Sequence, residues 1–207
     1  MFLRMSGFKT LIKNAWQGAG LTVGNDGEGI FLAGSYWSIW LEKTSMTKKA
    51  KAAIVELTGE LPEVGKVFKS WAKQDNQYEL IEAWEEDYYL PNVYQLEDRF
   101  KDTGIVFNGF GRNGRVMQNT RNLKCALIPE FVHEMIDAGS MEKGECYPEG
   151  PKGRMDPGKD SGTIFWQNES CTLGCMITTI VPDSKEEYIL GQLKKYNFSE
   201  EKVEEYA

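Results

Sequence analysis

Several ingredients that would make this chain's chemistry easy to read are scarce or missing. No apolar run approaches the roughly 18 residues that cross a bilayer as a helix, which excludes a helical membrane span. Only one histidine, His133, occurs in 207 residues. Any Ser-His-Asp or Cys-His arrangement therefore has a single candidate base, and it lies in a helical pattern, FVHEMID, beside Glu134. Cysteine is sparse as well: Cys125, Cys146, Cys171 and Cys175. Structural zinc sites favour paired ligands at short spacing, often C-x2-C twice over. Here there is one C-x3-C, and strand residues four apart lie about 13 Å from each other. The thiols read as reduced, buried small hydrophobes, and no metal or cofactor is expected.

A basic excess is also lacking. There are 24 Lys+Arg against 31 Asp+Glu, giving a net charge of -7 and a pI near 5.0. Proteins that live on nucleic-acid phosphate usually carry a basic excess or stripe, so direct nucleic-acid binding is disfavoured by the overall balance. The stretch MFLRMSGFKTLIKN has no apolar segment followed by a small-residue cleavage site. A cytoplasmic location is the expectation.

What is present is enough apolar material for one core. The 41% hydrophobic and 12% aromatic content argue against disorder, and the length fits one compact domain over residues 1–207. Phe8, Leu11, Ile12 and Ala15 fall at helical spacing in the segment 8–16. Gly24-Asn25-Asp26-Gly27 reads as a turn, and 30–33 and 36–42 as two strands around Gly34-Ser35. A helix opens at Thr47 and stops at Thr58-Gly59. Near the other end, 129–138 reads as a helix ended by Gly139, 163–167 and 171–181 as strands, and 184–196 as a last helix. The stretch 144–162, rich in Gly and Pro, reads as a long exposed loop.

The predicted fold class is thus α+β, a mixed or antiparallel sheet with helices. Its organisation is two α-β-β-α units, 8–60 and 125–197, around a central β-rich segment, 61–124.

The sharpest motif is IVFNGFGRNGR, residues 105–115, in which Gly109, Gly111 and Gly114 satisfy G-x-G-x-x-G after an apolar run. It resembles the cofactor loop of glyceraldehyde-3-phosphate dehydrogenases, and Ser170-Cys171-Thr172-Leu173-Gly174-Cys175 is similar to the segment bearing that family's nucleophile. The resemblance implies a dinucleotide on Gly109, Gly111 and Gly114, with Cys171 as nucleophile. The chain departs from the family's order: too little sequence separates Gly111 from Cys171 for a doubly wound sheet, and His133 precedes the cysteine. A β-hairpin tipped by Asn113-Gly114 is the simpler reading. Arg112 and Arg115, with the glycines Gly109, Gly111 and Gly114, form a candidate phosphate or anion site on that hairpin.

The most unusual composition is YELIEAWEEDYYLPNVYQLEDRF, residues 78–100. Glu82, Trp84, Glu85, Glu86, Asp87, Tyr88, Tyr89 and Tyr94 combine interface-type aromatics with carboxylates that could steer a basic partner. With no complete catalytic set, the leading expectation is a non-catalytic interaction protein. Its partner would be a basic protein surface, such as that of a host protein that handles nucleic acid. The small acidic build loosely resembles accessory proteins of phages and mobile elements, which implies an inhibitor. Alternatively, repeated helix-plus-hairpin units are loosely similar to sliding-clamp proteins, a DNA-associated assembly whose basic residues line only an inner surface. A nucleotide binder or enzyme using the Gly109–Gly114 loop is the third class.

Overall fold

The computed structural model describes residues 1–72, 79–81, 88–109, 112–142, 149–155, 161–178, 180 and 182–199. The chain begins with a short extended stretch around Leu3 that leads into helix α1, Met5–Gln17. Phe8, Leu11 and Ile12 face the core, as their spacing requires. Strands β1 (Leu21–Asn25), β2 (Gly29–Ala33) and β3 (Trp37–Glu42) follow as an antiparallel meander. Helix α2, Lys48–Thr58, is capped at its start by Thr47, whose hydroxyl accepts from the Ala50 N–H at 3.1 Å. Gly59, at φ 81°, ends it by donating its N–H to the Val55 carbonyl.

Next come β4 (Lys66–Ser70), β5 (Glu79–Ile81), a 3-10 turn at Val93–Gln95, and the long hairpin of β6 (Asp98–Gly109) and β7 (Arg112–Asn119). The chain closes with β8 (Cys125–Pro129), α3 (Glu130–Glu134), α4 (Ala138–Glu142), β9 (Glu149–Met155), β10 (Gly162–Asn168), β11 (Cys171–Met176) and α5 (Lys185–Leu193). The eleven strands among the described residues join one antiparallel sheet in the order β5-β4-β1-β2-β3-β11-β10-β9-β6-β7-β8. The Thr178 N–H donates to the Leu127 carbonyl at 2.7 Å, so the chain leaving β11 returns to β8 and rolls the second half of the sheet.

A local two-fold relation organises the centre. Leu3 precedes α1 and Ile136 precedes α4, and the two residues pair as an antiparallel bridge. The Arg4 N–H reaches the Met135 carbonyl at 2.7 Å, and the Asp137 N–H reaches that of Phe2 at 2.8 Å. Each bridge residue is followed by a helix and three antiparallel strands, β1-β2-β3 or β9-β10-β11. The last strand of each set, β3 and β11, pair antiparallel from Leu41–Cys171 to Trp37–Cys175.

The sheet has two unlike faces. Val23, Leu32, Ile39, Leu173 and Trp166 register in one row across five strands and are buried with α1 and α2. On the opposite face, Phe31 and Trp40 are cross-strand partners, and the Tyr88 ring meets Phe31 edge-on at 5.6 Å. Val93 is fully buried, and its N–H donates to Gln167 Oε1 at 3.1 Å. The segment from Tyr88 onward therefore covers this second face.

Four expectations need correction. The three-strand sets replace the expected β-β pairs, because Leu21–Asn25 and Glu149–Met155 are strands rather than turn and loop. The helix expected over 129–138 ends at Glu134, where the Leu3–Ile136 bridge intervenes, and Gly139 lies inside α4 instead of stopping a helix. The strand expected over 171–181 stops at Met176. The β6–β7 hairpin does not turn at Asn113-Gly114. Gly109 pairs with Arg112 and Phe107 with Gly114, which puts those two residues inside β7.

Candidate functional site

Helices α1 and α2 pack against each other on one face of the sheet, so their outer sides form a common surface. Its composition is one-sided. Lys9 and Lys13 lie on α1, Lys48, Lys49 and Lys51 on the first turns of α2, and Arg4 just ahead of α1; all six are exposed. Glu56 is the lone carboxylate on either helix. Among the described residues the five lysine ammoniums make no ion pair, whereas Arg4 Nη1 donates to the Glu134 carbonyl at 3.1 Å. Three lysines at the start of α2 add to the positive end of its helix dipole. In a chain of net charge -7, the surface is a basic patch on an acidic body. Cations that are scattered along the sequence are gathered by the packing of two helices. The only prior sign of this was that acids are rare before Glu56.

A second cluster sits at the β6–β7 hairpin. Arg115 forks onto Asp102, with Nε 2.7 Å from Oδ1 and Nη2 2.6 Å from Oδ2. Its Nη1 also lies 3.4 Å from Glu130 Oε1, and His133 Nε2 is 3.3 Å from Asp102 Oδ2. A bulge in β6 positions Asp102: Gly104, at φ 76°, donates its N–H to Oδ1 at 2.9 Å. Burial raises the Asp102 pKa, but the Arg115 hydrogen bond, the Gly104 N–H and the nearby His133 and Arg115 charges outweigh it. The carboxyl is held below its ordinary value of 3.8.

Arg115, read from sequence as an anion ligand, is thus bound to two carboxyl groups of its own chain. Gly114 lies within β7 against Leu127; Gly109 and Arg112 flank the hairpin turn, and Gly111 lies outside the described residues. Of the acidic-aromatic stretch, Glu82, Trp84, Glu85, Glu86 and Asp87 also lie outside the described residues. Tyr88 packs inward on Phe31, while Tyr89 and Tyr94 are 61% and 45% exposed. Lys152 Nζ stands 5.9 Å from the Tyr94 ring centroid and donates to its carbonyl at 3.3 Å. The described residues of the two predicted sites are thus divided among an internal ion cluster, the hairpin, the inward-packed Tyr88 and the exposed Tyr89 and Tyr94.

Cys146 lies outside the described residues, and the other three thiols are free. Cys171 and Cys175 are buried in the core on β11, and burial pushes both up to about 12. Cys125 is half-buried, and burial raises it too, against a lowering contact from Gln118. Among the described residues no three His, Cys, Asp or Glu side chains come together to hold a metal ion. No described helix is long and apolar enough to cross a membrane.

No family model matches the chain, and no curated protein matches it. Solved structures show a weak likeness. The beta subunit of DNA polymerase from Streptococcus pyogenes is 13% identical, with a TM-score of 0.34 over 88% of this chain and 64% of that one. A putative DNA polymerase III beta subunit from Eubacterium rectale is 12% identical at 0.35, over 89% and 65%. The DnaN sliding clamp from Bartonella birtlesii, bound to griselimycin, is 8% identical at 0.34, over 87% and 65%. The chain spans just under two thirds of the length of these structures.

Proposed function

We propose that this protein is a non-catalytic, DNA-associated assembly protein that lays its α1–α2 surface along the phosphate backbone of duplex DNA. One observation carries the reading: five lysines without an ion pair among the described residues stand exposed on two adjacent helices, in a protein that is otherwise acidic. Phosphate contacts of this kind give affinity without sequence preference, because they touch no base edge. The remaining acidic surface repels DNA and leaves one face as the preferred contact.

The test is fluorescence anisotropy of a labelled duplex with the full chain and with a Lys9→Glu/Lys13→Glu/Lys48→Glu/Lys51→Glu variant. All four positions are exposed, so the fold should persist. The reading expects wild-type binding at low salt and its loss in the variant. Equal binding by both proteins contradicts it.

A second reading is supported by Tyr89 and Tyr94, which stand exposed on the segment crossing the opposite sheet face. There the acidic-aromatic stretch grips a basic protein surface, including that of a protein that handles nucleic acid. Alanine at Tyr89 and Tyr94 weakens such a complex and leaves duplex binding unchanged.

A further inference from the structure

Helix α5 packs on the sheet through one side only. Leu190 is buried with Val116 and Leu127, and Leu193 packs beside them. The other side carries Glu187, Gly191 and Lys195, four residues apart and hence on one stripe, with Tyr188 next to it. All four are exposed, Tyr188 at 68%. Lys194 and Lys195 prolong the last turn, donating their N–H groups to the Leu190 and Gln192 carbonyls at 3.0 and 3.1 Å.

Gly191 has no reason to be glycine within its own chain. It sits inside the helix, where glycine is the poorest former after proline. Its φ is not positive, and a Cβ there would meet no described atom within 4 Å. Neither backbone geometry nor local packing asks for a missing side chain. The charges around it are also arranged about it. Glu187 lies as far before Gly191 as Lys195 lies after it, and Tyr188 as far before as Lys194 after. None of these charged groups makes an ion pair among the described residues. Glu187 accepts the Asp183 N–H through Oε2 at 2.7 Å, and Lys195 Nζ donates to Gln192 Oε1 at 2.6 Å. Each keeps hydrogen-bonding capacity beyond that local contact.

We propose that two copies of this chain associate through α5, the helices crossing antiparallel at Gly191. In a two-fold contact the same patch meets itself, so positions equidistant from the axis face each other. Glu187 then meets the partner's Lys195, and Tyr188 meets the partner's Lys194, each pairing occurring twice. A bare backbone at the crossing lets the helix axes come to the near end of the usual 8–10 Å, roughly, which side chains there would prevent. A parallel crossing would set Glu187 against Glu187 and Lys195 against Lys195, so charge fixes the direction. One pair of nine-residue helices is small beside the roughly 1,200 Å² of a stable interface, so the dimer is weak and reversible.

Sedimentation velocity of the full chain, from micromolar to millimolar concentration, tests this. The sedimentation coefficient should rise with concentration toward that of a dimer. Gly191→Leu places a bulky, helix-favouring side chain at the crossing and should weaken association at least tenfold with the circular dichroism unchanged. Lys195→Glu alone and Glu187→Lys alone each set like charges opposite one another and should weaken it too. Mixed one to one, the two variants restore opposite charges in both pairs and should associate again. Should Glu187→Lys unfold through loss of its contact with Asp183, Gly191→Leu and Lys195→Glu carry the test. A chain that stays monomeric throughout, a Gly191→Leu dimer as tight as the wild type, or folded charge variants that do not associate when mixed overturns the proposal.

Discussion

Arg115 and Asp102 face each other across the β6–β7 hairpin as a two-point fork, at 2.7 and 2.6 Å. The pair lies beside the β6 bulge, where the register with β7 shifts between Asp102 and Val106. Both side chains are mostly covered, at 17% and 32% exposure, so the contact is screened less than a surface ion pair. Asp102→Asn leaves Arg115 with one weakened partner and should cost about 1–3 kcal/mol in a denaturant melt.

The same pair sets a response to acid. The folded Asp102 carboxyl titrates below its unfolded value of 3.8, so its contribution is complete above that pH. It is lost as pH falls from 3.8 through the lowered folded value. Unfolding free energy of the wild type should therefore drop more steeply below pH 4 than that of Asp102→Asn, and parallel curves would count against the assignment.

Gly29 should not tolerate a side chain. A Cβ there would come within about 2.2 Å of Trp40, whose indole N–H donates to Asp26 Oδ2 at 2.8 Å. Asp26 also accepts the Gly29 N–H at 2.6 Å, so the turn and the ring are held by one carboxylate. Gly29→Ala displaces the ring from that bond, and a loss of about 1–3 kcal/mol is expected in thermal unfolding.

Tyr88 is predicted to be a packing residue. Its ring lies edge-on to Phe31 at 5.6 Å and helps cover the second sheet face. Tyr88→Ala should lower stability by about 1–3 kcal/mol without altering duplex binding, as read by a melt beside an anisotropy titration.

Cys171 and Cys175, with thiols pushed up to about 12, should resist alkylation by iodoacetamide in the folded protein at pH 8 and react once it is unfolded. Mass spectrometry of the labelled peptides reads this directly.

How far the fold was legible depended on whether local pattern and tertiary pairing agreed. Helix α2 carries its own start and stop in Thr47 and Gly59, and the structure uses both. Strand β1 was hidden because Gly24-Asn25-Asp26-Gly27 reads as a turn, yet Asn25 is still in register with Ile30 and Lys66. Strand β9, EGPKGRM, has almost no apolar side chains; it exists because β6 and β10 flank it. The helix after Pro129 was overestimated because Ile136 is drawn into the bridge with Leu3, a partner too far away in sequence to foresee.

The basic surface was hidden for a related reason. Net charge averages over the chain, while the lysines of α1 and those of α2 share one layer only once the two helices pack together. Arg115 shows the converse. A cation in a glycine-rich motif read as an anion ligand, but Asp102 and Glu130 satisfy it internally.

The salt dependence of duplex binding tests the central claim most directly. Counterion release predicts that log affinity falls linearly with log salt, with a slope of about -3.6 if four phosphates are neutralised. Anisotropy titrations of the wild-type chain between low and physiological salt should give a slope near that value. A slope near zero, or no binding to duplex even at the lowest salt, contradicts the assignment of the α1–α2 surface to DNA.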